Sequence, residues 1–326
     1  MGETRMETER PEPAFEQLFA GLRPELASFC YRMLGSAADA DDAVQETGIR
    51  VWKNMDSFRG DAAFRTWVYR IAANVCLDKL RQAKRRVLPV DLSDPSVILE
   101  PPRETLPEST WIWPSPDGAA TPEDIAVRRD TVELCFLALM QHLPPRQRAV
   151  FVLKDAFGLT AREIAETLEM TTAAVNSALQ RARDTLGKAR LRSDEYSRLD
   201  EAPDPGLLAR YVEAFERYDI PALVELFHEE GCMSMPPFPM WVQGRENLRR
   251  FFSVVRWHCE GSKMVPVTVN GGYPAFAQYV PSPDGRHLEP WGIHVLNSRD
   301  GRVFHAQNFI NARLFAQAGL PERIRR

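Results

Sequence analysis

Residues 39–86 read DADDAVQETGIRVWKNMDSFRGDAAFRTWVYRIAANVCLDKLRQAKRR, and two helical patterns meet in them at a glycine turn. Ala43, Val44, Thr47 and Val51 recur at i, i+1, i+4 and i+8, so they share one helix face. Asp39, Asp41, Asp42 and Glu46 crowd the opening turns, where the helix dipole favours negative charge. Arg59-Gly60-Asp61 interrupts the pattern. A second helix is predicted from about Ala62, with Phe64, Val68, Ile71 and Val75 on its buried face and Trp67, Tyr69, Arg70 and Asn74 around the rest. It runs into a basic tail of Lys79, Arg81, Lys84, Arg85 and Arg86.

An acidic helix followed by an aromatic and basic one has a physical use. Carboxylates dock on basic protein surfaces. Aromatic rings beside arginines hold unstacked bases, at about 1–3 kcal/mol per base, and basic groups hold phosphates. An ordinary helical hairpin with core aromatics and a solvated charged end has the same composition, and composition alone favours it. The stretch resembles conserved region 2 of the sigma-70 factors, in the extracytoplasmic-function (ECF) class. DADDAVQETGIRVWK is similar to the part that grips the core polymerase, and FRGDAAFRTWVYRIAANVCLDKLR to the part that melts and reads the −10 promoter element. The resemblance implies polymerase contacts at Asp39, Asp41, Asp42, Gln45, Glu46 and Trp52. It implies −10 contacts at Phe58, Arg59, Phe64, Trp67, Arg70, Asn74, Lys79 and Arg81.

Around this stretch lies a chain of 326 residues, long enough for two or three domains. The net charge of −4 gives no global nucleic-acid signature, so DNA contacts must come from local basic patches. The five cysteines (Cys30, Cys76, Cys135, Cys232, Cys259) are scattered without a CxxC pair. That spacing argues against a zinc site or a disulfide framework and fits a reducing cytoplasm. MGETRMETERPEP lacks the apolar core of a signal segment. No apolar run approaches the roughly 18 residues of a membrane span.

Upstream, residues 1–13 are expected to be a disordered tail. A helical pattern of Phe15, Leu18, Phe19, Leu22 and Leu26 starts at Ala14, with Pro24 a site of bending or interruption and Gly35 a stop. Residues 14–86 then make one helical domain. Residues 87–122, VLPVDLSDPSVILEPPRETLPESTWIWPSPDGAATP, are too proline-rich for a long helix and read as a linker. Trp111-Ile112-Trp113-Pro114 stands out there. A pure spacer gains nothing from exposed tryptophans, so Trp111 and Trp113 are expected to dock on a domain. The segment is also similar to a tryptophan-proline linker motif of sigma factors that carry a C-terminal extension.

Residues 123–192 form a second helical domain, with Val127, Thr131, Leu134 and Ala138 on one face. LTAREIAETLEMTTAAVNSALQRAR carries a helix-turn-helix pattern. Thr160 and Glu163 make a capping box, and Thr171 or Thr172 caps the second helix. Val175, Ala178, Leu179 and Ala182 recur at helical spacing. The second helix of such a unit reads base edges in the major groove, where Asn and Gln pair with adenine. The segment resembles sigma region 4, which implies −35 contacts at Thr160, Arg162, Thr171, Thr172, Asn176, Ser177, Gln180, Arg181 and Arg183. Two departures stand out: Glu169 occupies a turn position that the family commonly gives to glycine, which predicts an altered or mildly strained backbone, and Asn176 replaces a common Lys or Arg.

After an acidic linker at 193–204, residues 205–326 read as helices (Leu207 to Phe215, then Leu223 to Phe227), a short strand at Cys232–Met235 and a helix over Gly244–Val255. Strands follow at Met264–Asn270, Pro274–Val280, Trp291–Asn297 and Val303–Ile310, the last two joined by an Asp300-Gly301 hairpin signal. The expected fold is an α+β cone with a curved antiparallel sheet. It resembles the SnoaL-like fold, whose members include polyketide cyclases and ketosteroid-isomerase relatives with a small apolar ligand at the cone mouth. Trp241, His258, Trp291, His294, His305 and Asn308 are the candidate pocket residues, although a core or rim position is the commoner place for each histidine. The six histidines show no compact metal spacing.

Two functions follow from this reading. In the first, the chain is an ECF sigma factor with a fused regulatory domain. It binds the β′ clamp and β flap of core polymerase and the −35 and −10 promoter elements, with a small ligand in the cone, no metal or cofactor, no membrane and no separate anti-sigma factor required. In the second, it is a cyclase- or isomerase-type enzyme with a helical DNA-binding appendage. Only the first uses residues 14–192 as one two-part unit.

Overall fold

Gly35 and Ser36 make the first corner of the chain. Helix α1 (Glu12–Leu34) ends where the Gly35 N–H donates to the Tyr31 carbonyl at 2.8 Å. Ser36 then caps α2 (Ala37–Lys53), its hydroxyl accepting from the Asp39 N–H. The computed structural model describes residues 12–55, 58, 64–118, 134–192 and 203–326. The Arg59-Gly60-Asp61 turn, the Val127–Thr131 stretch and most of the N-terminal tail fall outside them. Pro24 sits inside α1 without ending it. The buried row Leu26, Phe29, Cys30 and Met33 offsets the one helical hydrogen bond that proline removes.

Helix α3 (Phe64–Gln82) packs on α1 and α2, with Val68, Ala72, Val75 and Cys76 buried. Tyr69, expected on the open side, is fully buried. Its ring meets Phe29 edge-on and its hydroxyl donates to Glu25 at 3.1 Å. The second helical unit comprises α4 (Leu134–Met140), α5 (Pro145–Asp155), α6 (Ala161–Leu168) and α7 (Thr172–Arg192).

The α+β unit opens with α8 (Pro205–Glu216), which Asp204 caps, and α9 (Ile220–Glu225). Then come β1 (Phe227–Ser234), β2 (Trp241–Gln243), α10 (Arg245–Cys259), β3 (Lys263–Val269), β4 (Tyr273–Pro281), β5 (His287–Arg299), β6 (Arg302–Phe309), α11 (Arg313–Gln317) and β7 (Ile324–Arg325). The strands form one sheet in the order β2-β1-β6-β5-β4-β3, with β7 on β5. The sheet is mixed rather than antiparallel, because β1 runs parallel to β6. Hairpin signals fix neighbours such as β5 and β6. They say nothing about a first strand that returns to the middle of the sheet from far away in sequence.

Strand alternation gives the sheet two apolar faces. Phe276, Leu296 and Ala306 pack under α8, α9 and α10 with Phe215, Leu248 and Phe252. Ala275, Ala277, Ile293, Val295 and Phe309 face the other way. There they join one continuous core with Trp111, Ile112 and Trp113 of the linker and the apolar residues of both helical units. The three units are therefore packed together through the linker.

Candidate polymerase and nucleic-acid interface

Helix α2 buries Ala43, Val44, Thr47 and Val51, which turns its acidic side outward. Asp41, Asp42 and Gln45 are exposed, and Ile49 stands half exposed beside them. Glu46 is drawn to Arg50 at 2.8 Å, and Arg50 reaches Asp78 at 3.5 Å. Asp39 pairs with Arg86. Trp52 is half-buried.

The aromatic cluster lies at the start of α3. Phe58, Phe64 and Trp67 are each partly exposed, with ring centroids 5.1 to 6.0 Å apart. Asn74 and Arg81 are exposed and Lys79 is half-buried on the same helix; Arg59 lies outside the described residues. Arg70 is engaged elsewhere. Its Nη2 donates to the Glu166 carbonyl at 3.0 Å and its Nη1 lies 3.5 Å from Glu169, so it bridges to the helix-turn-helix unit.

That unit follows its sequence pattern closely. The Glu163 N–H donates to the Thr160 hydroxyl, and the Thr160 N–H donates to Glu163 at 2.7 Å. These bonds hold the Glu163 carboxyl below its usual range. Ile164, Ala165, Val175, Ala178, Leu179 and Ala182 are buried. Thr171 is the cap of α7, accepting from the Ala174 N–H. Thr160, Arg162, Thr171, Thr172, Asn176, Ser177, Gln180, Arg181 and Arg183 are all exposed. Gln180 donates to Asp184 at 3.0 Å, Arg181 to Ser177 at 3.2 Å, and Arg162 pairs with Glu166. Glu169 takes φ 53° and ψ 52° at the end of α6, the left-handed geometry in which a side chain is strained and glycine is not.

The two helical units are held against each other. Phe157, between α5 and α6, packs edge-on against Phe29 and Tyr69 at 6.1 and 5.6 Å. Arg148 is buried, and donates to the Met33 carbonyl at the end of α1 and to Gln141 and Leu143. Burial pushes its guanidinium down to about 10. Sequence reasoning overlooked Phe157 and Arg148, whose only signals are an aromatic in a loop and a basic residue inside an apolar helix.

The linker forms the third contact. Trp111 is fully buried and Trp113 nearly so. The Trp113 N–H donates to the Gly35 carbonyl, and Ile112 pairs with Val87. The Tyr31 hydroxyl lies 2.9 Å from both the Trp113 carbonyl and Asn270 Oδ1, sharing one proton between two acceptors. Asn270 also accepts from the Ser115 N–H, and the Asp117 carboxylate accepts from the Gly271 and Gly272 N–H groups at 2.7 and 2.8 Å. The β3–β4 turn, with Asn270, Gly271 and Gly272 all at positive φ, is thus moulded to the linker.

The six candidate pocket residues separate into two groups. His258, Trp291 and Asn308 line a cavity in the α+β unit; Trp241, His294 and His305 do not. His294 lies behind the cavity wall, 3.2 Å from the Tyr211 hydroxyl and 2.8 Å from Gln278. His305 contacts the Ser234 hydroxyl at 3.0 Å. Burial pushes the two imidazoles down to about 3 and about 4. Trp241 instead donates through Nε1 to the Ser93 carbonyl of the linker at 2.8 Å. Among the described residues no cluster of histidine, cysteine or carboxylate side chains fits a metal ion, and no helix is long and apolar enough to cross a membrane.

Family models match three segments: "Sigma-70 region 2" over residues 18–86, "Sigma-70, region 4" over residues 133–186 and "SnoaL-like domain" over residues 208–306. The chain is 41% identical to the ECF RNA polymerase sigma factor SigG of Mycobacterium tuberculosis over 310 residues, covering 92% of this chain and 82% of that one. It is 28% identical to SigJ of the same organism over 321 residues, covering 94% of each. The crystal structure of SigJ superimposes over 94% of this chain and 99% of that chain, with a TM-score of 0.61 at 24% identity.

Proposed function

The chain belongs to the ECF RNA polymerase sigma factors, and from that premise we infer how its three units share the work of transcription initiation. The exposed polar residues of α2 (the acids Asp41 and Asp42, with Gln45), and Ile49 beside them, dock on the β′ clamp of core polymerase. Phe58, Phe64 and Trp67, with Asn74, Lys79 and Arg81 along the helix, receive an extruded base and the backbone of the −10 strand. The exposed face of α7 from Thr172 to Gln180 reads the −35 major groove, Arg181 and Arg183 hold phosphates, and the second helical unit engages the β flap. Recognition is the whole task. The chain supplies no bond chemistry of its own on this reading and works in the cytoplasm beside polymerase and DNA.

The single observation that carries the regulatory part of this reading is the contact of Arg70 with Glu166 and Glu169. The −10 and −35 elements differ in name by about 25 base pairs, which at ~3.4 Å each is roughly 85 Å of duplex. Helices α3 and α6 touch, so the arrangement described here does not engage both elements at once. It is a closed form. The α+β unit and the Trp111–Trp113 linker brace it, and tethering raises the effective concentration of the brace toward the mM range.

Transcription in vitro with purified core polymerase on a promoter library tests the core of the reading, with a selected pair of −35 and −10 sequences as the expected result. Absence of any selected promoter, with no co-purification of core polymerase, would refute it. Asn270→Gly tests the brace, because it keeps the positive-φ backbone and removes both side-chain bonds to Tyr31 and Ser115. An altered start-site yield at an unchanged promoter preference is the expected outcome. An unchanged yield would remove the α+β unit from the regulatory account.

A further inference from the structure

Arg86 ends the first helical unit, and its guanidinium joins that unit to the linker. The side chain is only 10% exposed. Nη2 donates to the carboxylate of Asp39 in the first turn of α2. Nη1 donates to the linker carbonyls of Glu108 and Trp111 at 3.0 and 2.7 Å. The stem runs past Gly35, where a Cβ would lie 3.5 Å from the Arg86 Cδ. Main-chain bonds lace the linker to the same corner: the Val87 N–H donates to the Thr110 carbonyl at 2.9 Å, the Ile112 N–H to the Val87 carbonyl and the Trp113 N–H to the Gly35 carbonyl. Glu108 carries the connection onward. Its carboxylate accepts from Asn311 at 3.1 Å and lies 3.5 Å from the Arg313 guanidinium, both on the α+β unit.

The acids of α2 divide accordingly. Asp41 and Asp42 are exposed, whereas the Asp39 carboxylate is turned to Arg86, although the sequence pattern implies a polymerase contact at all three. A carboxylate held by a guanidinium is not offered to a basic group of another protein. Arg86 depends on the pair in turn. Among the described residues, Asp39 is the one carboxylate paired with it, and its other partners are neutral carbonyls. Removing one partner of a shielded ion pair leaves the other charge uncompensated, which costs more than the pair itself contributes. Engagement of Asp39 elsewhere therefore drives the guanidinium toward water and off the linker.

We propose that Arg86 is a positioning residue of the polymerase contact: it withholds Asp39 from the β′ clamp while the linker is seated, and capture of Asp39 by the clamp loosens the linker. The inference rests on the docking of α2 set out above. Such coupling is reciprocal, so a seated linker lowers polymerase affinity by the same factor by which bound polymerase favours the loosened linker. The α+β unit senses the change through Glu108, whose main chain holds Arg86 and whose carboxylate holds Asn311.

The test uses the full chain and purified core polymerase, and reads the dissociation constant beside hydrogen exchange over residues 108–114. Arg86→Gln removes the charge and keeps an N–H donor for a linker carbonyl. It should tighten polymerase binding by about fivefold, the low end of coupling between sites, and speed exchange in the linker. Asp39→Asn should also speed linker exchange, because Arg86 loses its counter-charge, but without tighter binding. In that background Arg86→Gln should change affinity by less than about twofold, since the two residues act as one pair. Arg86→Lys keeps a point charge for Asp39 and should leave affinity within about twofold of the parent, which separates the charge from a disturbed fold. Bound polymerase should speed exchange over residues 108–114 of the parent. The proposal is overturned if Arg86→Gln leaves affinity unchanged or lowers it, if its gain persists beside Asp39→Asn, if Arg86→Lys gains as much, or if polymerase leaves linker exchange unaltered. Asp41→Asn distinguishes this failure from failure of the docking reading. Weaker binding by Asp41→Asn with no gain from Arg86→Gln rejects the role of Arg86 alone, whereas unchanged binding by Asp41→Asn rejects the docking face and the role of Arg86 with it.

Discussion

Arg70 on α3 donates to the main-chain carbonyl of Glu166 on α6 at 3.0 Å, so the helix assigned to the −10 element is joined to the helix-turn-helix unit. Arg70 is partly exposed, and its ion pair with Glu169 spans 3.5 Å with Glu169 72% exposed; such a pair contributes roughly 0–1 kcal/mol. The wedge of Phe157 between Phe29 and Tyr69 holds more of the contact. Phe157→Ala with Arg70→Ala should release α6 from α3, with a larger scattering-derived radius and a faster approach to promoter complexes. Phe157→Ala alone is expected to weaken docking by about 2–3 kcal/mol, less than the loss from a fully buried ring. A double variant with the dimensions and kinetics of the parent would show that the units are held by other contacts.

Trp67 separates single-strand capture from folding. It is half-buried, in a cluster with Phe58 and Phe64, so truncation removes a stacking surface at a smaller packing cost than a core tryptophan would incur. Trp67→Ala should leave polymerase binding near normal and impair opening of the −10 region, by about 1–3 kcal/mol for one lost base contact. Permanganate footprinting beside a thermal melt distinguishes the outcomes. Normal melting of the −10 region by the folded variant would place the base elsewhere.

On α7 the two kinds of contact predict different phenotypes. Gln180→Ala and Asn176→Ala should relax −35 discrimination by about 1–3 kcal/mol at single positions. Gln180 donates to Asp184 and must exchange that partner for a base. Arg183→Ala should weaken binding to every sequence and flatten its salt dependence. Library selection at two salt concentrations reads both. Altered base preference from Arg183→Ala, with none from Gln180→Ala, would mean that the helix is rotated in the groove.

Local patterns carried most of the fold. The spacing of Ala43, Val44, Thr47 and Val51 and the capping box of Thr160 and Glu163 rest on neighbours within one or two turns, and the structure has both. At Glu169 the absence of glycine left the turn open, yet the backbone keeps the left-handed geometry. Packing of Ile164 and Val175 across the two helices over-determines that turn, and a strained side chain is tolerated there. Long-range features were not legible. The parallel pairing of β1 with β6, the burial of Tyr69 under Phe157 and the turn of Arg70 toward Glu166 depend on elements far away in sequence. The same holds for the pocket: His294 lies on the sheet face opposite Ile293, but which residues of that face border the cavity depends on α8, α10 and the linker.

The buried histidines make the α+β unit sensitive to acid. His294 is pushed down to about 3 and His305 to about 4, both by burial, from an ordinary value near 6.5. Folded, they stay neutral until well below pH 5; unfolded, they protonate as pH falls through about 6.5. In that window the unfolded chain binds more protons, so stability is full above about pH 6.5 and declines as pH falls, by about 1.4 kcal/mol per pH unit for each histidine. The loss levels off only when pH passes below each folded value. Half-buried His258, also lowered by burial, adds a smaller contribution of the same sign. Between pH 7 and 5, before most carboxylates titrate, the denaturant midpoint of the full chain should fall steadily. His305→Gln should reduce that slope by close to one proton while retaining a hydrogen-bonding partner for Ser234. A midpoint that is flat from pH 7 to 5, or a slope unchanged in His305→Gln, would show that these imidazoles are not held neutral in the fold.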